Sequence, residues 1–343
     1  MSLKEIAHRA GTSVSTVSRV LNQPDYKCKN PELEARIWAA AQEISYTPNT
    51  AAQTLKSGAP QIKTTPLTFD IFLTRFPSLS QDLFFSELFE SLKKELLRQQ
   101  CVPGKFLTLP EVTSMLKEKS SFSVTDTHAD GIILLGKCPA ELISTLQNHY
   151  HNIVGIDRNP TNFDYDEVIC SGTTAAVTAM NYLISLGHKK IAYIGETQSE
   201  NRYLGYCDAL SAHRIPLQKA YTCNIHLSSE GGYQGTKKLL EQGCDATAYF
   251  CANDITAIGA MRALQEAGHS IPGDVSVISI DDIDMAQYLT PMLTTMHIPV
   301  EEMGQMTAKI LIDRIEGGHR LPVRVNLPFY TAVRDSCAPP KQK

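Results

Sequence analysis

The sequence predicts an all-α three-helix head followed by an α/β core of two doubly wound parallel-sheet lobes. Three observations carry that expectation: apolar residues at helical spacing up to Tyr46, linker composition between Pro48 and Pro66, and apolar runs alternating with amphipathic stretches thereafter. A chain of 343 residues suits one small unit plus one large one. Its 43% apolar and 20% charged residues are the balance of a globular protein.

In the head, Leu3, Ile6, Ala7 and Ala10 share one helical face, and Gly11 ends that helix with a residue tolerant of positive φ. Ser13 is a good N-cap for a second helix through Leu21, with Val17, Val20 and Leu21 on one side. A third opens at Asn30-Pro31-Glu32, a cap followed by proline in the first turn, and buries Leu33, Ile37, Ala41 and Ile44. Helices this short need one another's apolar faces to persist.

Between Pro48 and Pro66 the chain turns to Ala, Thr, Gln, Lys, Gly and Pro, with one brief helix-compatible stretch from Thr50 to Lys56. Beyond it, apolar runs such as Phe69 to Leu73, Gly131 to Leu135 and Ile153 to Ile156 alternate with amphipathic ones. A second series begins at Val168 and includes Ile191 to Ile194, Thr247 to Cys251 and Val275 to Ile280. The organisation expected is a head over 1–47, a linker over 48–65 and a core over 66–343. Within the core, one lobe takes 66–165 plus 298–328 and the other 166–297 plus 329–338. Crossings between them are expected near Tyr165 to Val168, Thr295 to Ile298 and Leu327 to Tyr330.

Charge and cysteines exclude several classes. Residues 1–58 carry a balance of +2 and the remainder −6, too weak for a protein that coats nucleic acid indiscriminately. The nine cysteines form no C-x-x-C pair and are expected to be small buried hydrophobes, not a disulfide framework or a metal site. Met1 to Ala10 holds Lys4, Glu5, His8 and Arg9 without an uninterrupted apolar run, so no secretory signal is expected there. No stretch approaches the ~18 apolar residues that span a bilayer. A cytoplasmic protein with no membrane partner follows as the expectation.

Gly11 sits in a short turn between two helices, and the second offers Val14, Ser15, Ser18 and Arg19 opposite its buried side. That face fits a major groove, where Arg19 can pair with a guanine and hydroxyls can meet phosphates. A plain helical hairpin with solvated serines fits the same residues. The core shows no phosphate-binding Gly-x-x-x-x-Gly-Lys-Ser/Thr, no Gly-x-Ser-x-Gly and no His-Glu-x-x-His. Polar residues instead follow the predicted strands: Asp157, Asn201-Arg202, Asn253-Asp254 and Asp281-Asp282. Open α/β sheets bind ligands at those ends, and such a set suits a polyhydroxylated ligand.

The head resembles the lactose-repressor family, whose signature matches here at Ile6, Ala7, Ala10, Gly11, Ser13, Thr16, Val17, Ser18, Arg19, Val20, Leu21 and Asn22. The stretch Pro24 to Lys29 departs from the family pattern. The resemblance implies operator DNA as a partner, contacted by Val14, Ser15, Thr16, Ser18, Arg19 and Asn22. It extends through Tyr46-Thr-Pro-Asn-Thr-Ala-Ala-Gln-Thr-Leu-Lys-Ser-Gly58, which looks like the family's hinge helix. Asn49 and Leu55 would then join the DNA contacts, Leu55 as a minor-groove wedge. A flexible linker with an exposed leucine is the plainer alternative.

Asn201-Arg-Tyr-Leu-Gly-Tyr206, Cys251-Ala-Asn-Asp254 and Ser279-Ile-Asp-Asp282 with Pro291 to Thr295 resemble further family motifs. By that resemblance the core is periplasmic-binding-protein-like, Arg202, Asn253 and Asp281 contact an effector, and Phe84 and Phe85 stack on it. Helix capping by Asn253 and Asp254 and core roles for the two phenylalanines compete with this, and Asp254 and Asp282 are expected to be structural. Leu227 stands where some relatives carry a stacking aromatic. The resemblance implies a transcription regulator of a carbohydrate-utilisation operon, acting as a homodimer on palindromic operator DNA through a first-lobe face. Its effector would be a small sugar such as a galactoside, with no cofactor, no metal and no enzymatic activity. A purine or other metabolite acting as corepressor, or a sugar-binding or sugar-transforming protein using Asp157 and Asp281, are the alternatives. The tail after Arg334 carries no apolar heptads, so no tetramerisation helix is expected.

Overall fold

A computed structural model describes residues 3–22, 28, 30–43, 66–75, 77–79, 82–117, 129–157 and 164–341. The chain divides into two compact units, 1–66 and 67–343. In the first, helices α1 (Leu3–Ala10), α2 (Val14–Asn22) and α3 (Pro31–Glu43) share one core of Ile6, Ala7, Ala10, Val17, Val20, Leu21, Ile37, Ala40 and Ala41. Both expected caps form. Ser13 Oγ accepts from Thr16 N at 3.1 Å, and Asn30 Oδ1 accepts from Glu32 N at 3.1 Å and Leu33 N at 3.2 Å. Gly11 takes φ +64° at the end of α1, the left-handed stop that its lack of a Cβ makes cheap. Ile44 and the stretch from Tyr46 to Gly58, with Asn49 and Leu55, lie outside the described residues.

The second unit holds two six-stranded sheets. The first contains β1 (Thr68–Leu73), β2 (Val102–Thr108), β3 (Gly131–Leu135), β4 (Ile153–Asp157), β5 (Asp166–Ile169) and β11 (Arg324–Asn326), in the order β11-β5-β4-β3-β1-β2. The second contains β6 (Ile191–Gly195), β7 (Thr222–Asn224), β8 (Ala248–Cys251), β9 (Ser276–Asp281), β10 (Thr294–His297) and β12 (Tyr330–Ala332), in the order β12-β10-β9-β8-β6-β7. All neighbours are parallel except β10 and β12. Fully buried central strands such as Gly131–Leu135 and Ile191–Gly195 are what helices on both faces of a parallel sheet require.

Those helices are α4 (Leu83–Arg98), α5 (Leu109–Lys117), α6 (Ala140–His149) and α11 (Val300–Ile315) around the first sheet. Around the second lie α7 (Gly172–Ser185), α8 (Asn201–Ala212), α9 (Ser229–Glu241) and α10 (Asp254–Glu266). Strand β5 belongs to the first sheet, so the first crossing falls at 170–171, later than Tyr165 to Val168. Its buried carboxylate Asp166 explains the difference: Arg314 of α11 and Val323 N, just before β11, both donate to it and hold the strand there. The other two crossings lie at 298–299 and 327–329. Strand β2 gave little signal in the sequence because it is an exposed edge carrying Pro103, Gly104 and Lys105.

The two sheets share one winding. From β1 the chain steps outward to β2 and then back across to β3, and from β6 outward to β7 and back to β8. This creates a topological switch point between β1 and β3 in one lobe and between β6 and β8 in the other, where strand ends open a crevice for ligands.

Helices α9 and α10 cross closely through glycines. A Cβ on Gly259 would lie 1.8 Å from Ser229 O, and one on Gly232 would lie 2.0 Å from Thr256 O. Gly259→Ala is expected to force the helices apart and to destabilise the core by about 3 kcal/mol, read as a lower midpoint in denaturant unfolding. An unchanged midpoint would contradict this packing.

Candidate functional site

On the head, the exposed side of α2 presents Val14, Ser15 and Arg19, with Thr16 and Ser18 half-buried beside them. Ser15 Oγ and Thr16 Oγ1 lie 2.8 and 2.9 Å from Ser13 Oγ, so a small hydroxyl cluster forms at the start of the helix. Asn22 ends α2.

In the core, the candidate residues gather at the second lobe's switch point. The turn after β6 leads to Glu200, which caps α8 by accepting from Arg202 N at 3.1 Å. The same carboxylate grips the Arg202 side chain, with Nε to Oε1 at 2.7 Å and Nη2 to Oε2 at 2.9 Å. Arg202 Nη1 donates to Ala252 O at 3.0 Å, at the end of β8. Arg202 is only 1% exposed. Burial opposes its charge, but the Glu200 carboxylate and nearby Asp281 outweigh that and raise its pKa. Glu200 is held well below the usual carboxylate range: burial acts against its charge and the guanidinium groups of Arg202 and Arg75 overcome it.

Asn253 follows Ala252 and caps α10, its Oδ1 accepting from Thr256 N at 3.1 Å. Its amide Nδ2 is buried without a hydrogen-bond partner in the structure. Leaving such a donor unmet costs roughly 1–3 kcal/mol, so an acceptor at this position is favoured. Asp281 ends β9 at φ +139° and Asp282 follows at φ +60°. Non-glycine residues at such angles store about 1–3 kcal/mol each and cluster where function requires the geometry.

The first lobe brings its own switch point against this one. Arg75, after β1, reaches Glu196 Oε2 at 2.6 Å and Glu200 Oε2 at 3.4 Å. Lys137, after β3, donates to Ser199 O at 3.1 Å. Glu87 of α4 accepts from Asp284 N at 3.4 Å. The strand-end rule located Arg202, Asn253 and Asp281, and the structure brings these three together; it gave no sign of Arg75, Lys137, Glu196 or Glu200. Asp157 ends β4 in the first lobe.

Phe84 and Phe85 each expose only 1% and meet edge to face at 5.3 Å between centroids, inside the first lobe's core. Phe85 lies against Gly136 at the end of β3. Leu227 is buried in the second lobe. Asp254 and Asp282 are structural. Asp254 accepts from Ser279 Oγ at 2.5 Å, Thr295 Oγ1 at 2.6 Å and Ile283 N at 2.9 Å, fastening α10 to β9 and β10. Asp282 pairs with Arg334 at 2.6 Å and His297 at 2.9 Å.

Comparison with known proteins fits both halves. Residues 2–49 match the bacterial regulatory proteins of the lacI family, and residues 180–337 match the periplasmic binding protein-like domain. The HTH-type transcriptional repressor MelR of Bacillus subtilis (strain 168) is 30% identical over 348 residues, covering 98% of this chain and 97% of its own. The HTH-type transcriptional repressor PurR of Proteus mirabilis (strain HI4320) is 30% identical over 324 residues, covering 92% and 90%. A LacI family transcriptional regulator from Enterococcus faecium, solved with bound ribose, superimposes with a TM-score of 0.69 at 30% identity over 80% of this chain and 100% of its own. Head and core together define a DNA-binding transcriptional repressor, not an enzyme. The chain belongs to the lacI family. Among the described residues no helix is long and apolar enough to cross a membrane.

Burial pushes the Asp254 carboxyl up to about 6 against the three hydrogen bonds it accepts. Folding therefore tightens its hold on a proton, so this residue's contribution to stability is greatest in acid and is lost as pH rises through about 6. Measured against Asp254→Asn, the wild type should lose up to roughly 3 kcal/mol of relative stability between about pH 4 and about pH 7. A flat difference in urea unfolding across that window would contradict the assignment.

Proposed function

We propose that this repressor controls a carbohydrate-utilisation operon and answers to a small sugar, such as a galactoside, held between the two lobes. Arg202, Asn253 and Asp281 would bind the sugar hydroxyls, with Phe84 and Phe85 supporting the first-lobe wall. The observation that carries the reading is the buried Asn253 amide without a partner, next to a guanidinium already oriented by Glu200 and Ala252 O. A hydroxyl can accept from the amide while donating to a carboxylate, which few other neutral groups do. The ribose bound to the Enterococcus faecium relative is in keeping with this.

The likeness to PurR supports a second reading, a purine or other metabolite as corepressor.

On DNA, Val14, Ser15, Thr16, Ser18, Arg19 and Asn22 would meet the major groove, while Asn49 and Leu55 would act in the minor groove. A head and linker whose residues 1–58 carry a charge balance of only +2 bind weakly alone, so two heads on one palindromic site are required, presented by a homodimer formed through the first lobe. A ligand bound in the cleft shifts operator affinity only as far as it prefers one lobe arrangement over another.

In fluorescence-anisotropy titrations with the operator, Arg19→Ala should cost about 1–3 kcal/mol and relax the preference at one base pair. Leu55→Ala should weaken specific binding and leave sugar binding intact. Asp281→Ala should bind operator normally and ignore the sugar. Unchanged affinity for Arg19→Ala, or a full sugar response in Asp281→Ala, would overturn the corresponding part of this reading.

A further inference from the structure

The charges around the cleft carry a conclusion about what it rejects. The two guanidinium groups at the facing switch points, Arg75 and Arg202, are each already matched. Arg202 is chelated through two nitrogens by Glu200, and Arg75 lies 2.6 Å from Glu196 and 3.4 Å from Glu200. Asp281 adds a third carboxylate close enough to act on Arg202. This inner group holds two positive and three negative side chains. The exposed His226 stands 3.6 Å from Glu196, and exposed Lys137 is tied to a backbone carbonyl.

Along the same interlobe opening, Glu87 and the buried Asp82 of the first lobe stand near Asp284 of the second. Burial first, and then the neighbouring carboxylates Asp284, Asp282 and Asp82, push the Glu87 carboxyl up. The unmet Asn253 amide is a neutral donor and brings no charge to balance an anion.

We propose that the cleft accepts an uncharged, hydroxyl-rich ligand and rejects its phosphorylated counterpart, with Glu196 as the residue that enforces the choice by occupying Arg75. This rests on the sugar reading above. A phosphate entering the cleft would have either to take Arg202 from Glu200 and strand that buried carboxylate, or to displace the half-exposed Glu196 from Arg75 and sit against the remaining carboxylates of the group, and both cost more than the new contact returns.

The test uses the full-length protein, with thermal shift and isothermal titration against galactose and galactose 6-phosphate, ribose and ribose 5-phosphate, and inorganic phosphate alone at matched ionic strength. A neutral sugar that binds should do so at least about a hundredfold more tightly than its phosphate ester, and inorganic phosphate should give no shift beyond that of chloride. Glu196→Gln should narrow the sugar gap about tenfold and gain a response to inorganic phosphate that the double variant Arg75→Gln/Glu196→Gln loses. Equal or tighter binding of a phosphate ester by the wild type, or a wild-type phosphate response abolished by Arg75→Gln, would overturn the proposal. If no sugar binds, yet phosphate is refused by the wild type and admitted by Glu196→Gln, the charge assignment stands and the sugar reading falls.

Discussion

Two charges buried to 1–2% exposure, Arg202 and Glu200, set the conditions for the rest of the site. Either alone would be strongly destabilising at that depth, and only their bidentate pairing makes the burial tolerable. The pair lies two residues apart at the start of α8, so helix capping and charge neutralisation are accomplished by the same carboxylate. Because Glu200 also takes part of Arg75 from the other lobe, the group that orients Arg202 is tied to the relative position of the lobes. A ligand that engages Arg202 therefore acts on a carboxylate that both lobes share.

That coupling gives a physical route from cleft to DNA. A ligand held in the proposed cleft would act on contacts made by Arg75 after β1 and by Lys137 after β3, and both loops belong to the lobe proposed to pair with a second copy. Packed interfaces move between discrete arrangements, so a small change at the switch points can be passed on as a rotation of one lobe against the other. The strut from Asp166 to Arg314 and the closely packed α9 and α10 keep each lobe rigid enough to transmit it.

Much of this was legible in the sequence where the cause is local. Ser13 and Asn30 cap their helices because a side-chain oxygen before an apolar stripe has one evident use. Arg202, Asn253 and Asp281 were marked by following predicted strands, which is where parallel sheets expose their ends. Glu196, Glu200, Arg75 and Lys137 were not, because their role arises only when two loops 121 residues apart in the chain are brought together. The apolar side of α4 draws the rings of Phe84 and Phe85 inward, against Gly136 and the core. Strand β5 was assigned to the other lobe because its tie to Arg314 crosses 148 residues.

The central claim is that the effector's oxygen atoms complete the hydrogen bonding of the Arg202 and Asn253 pair. A crystal structure of the core with a stabilising neutral sugar tests it most directly. The account predicts a sugar oxygen within about 3 Å of Asn253 Nδ2 and a second at the Arg202 guanidinium, with the Glu200 contacts retained. Sugar bound elsewhere, with that amide satisfied by water or by another protein group, would contradict it.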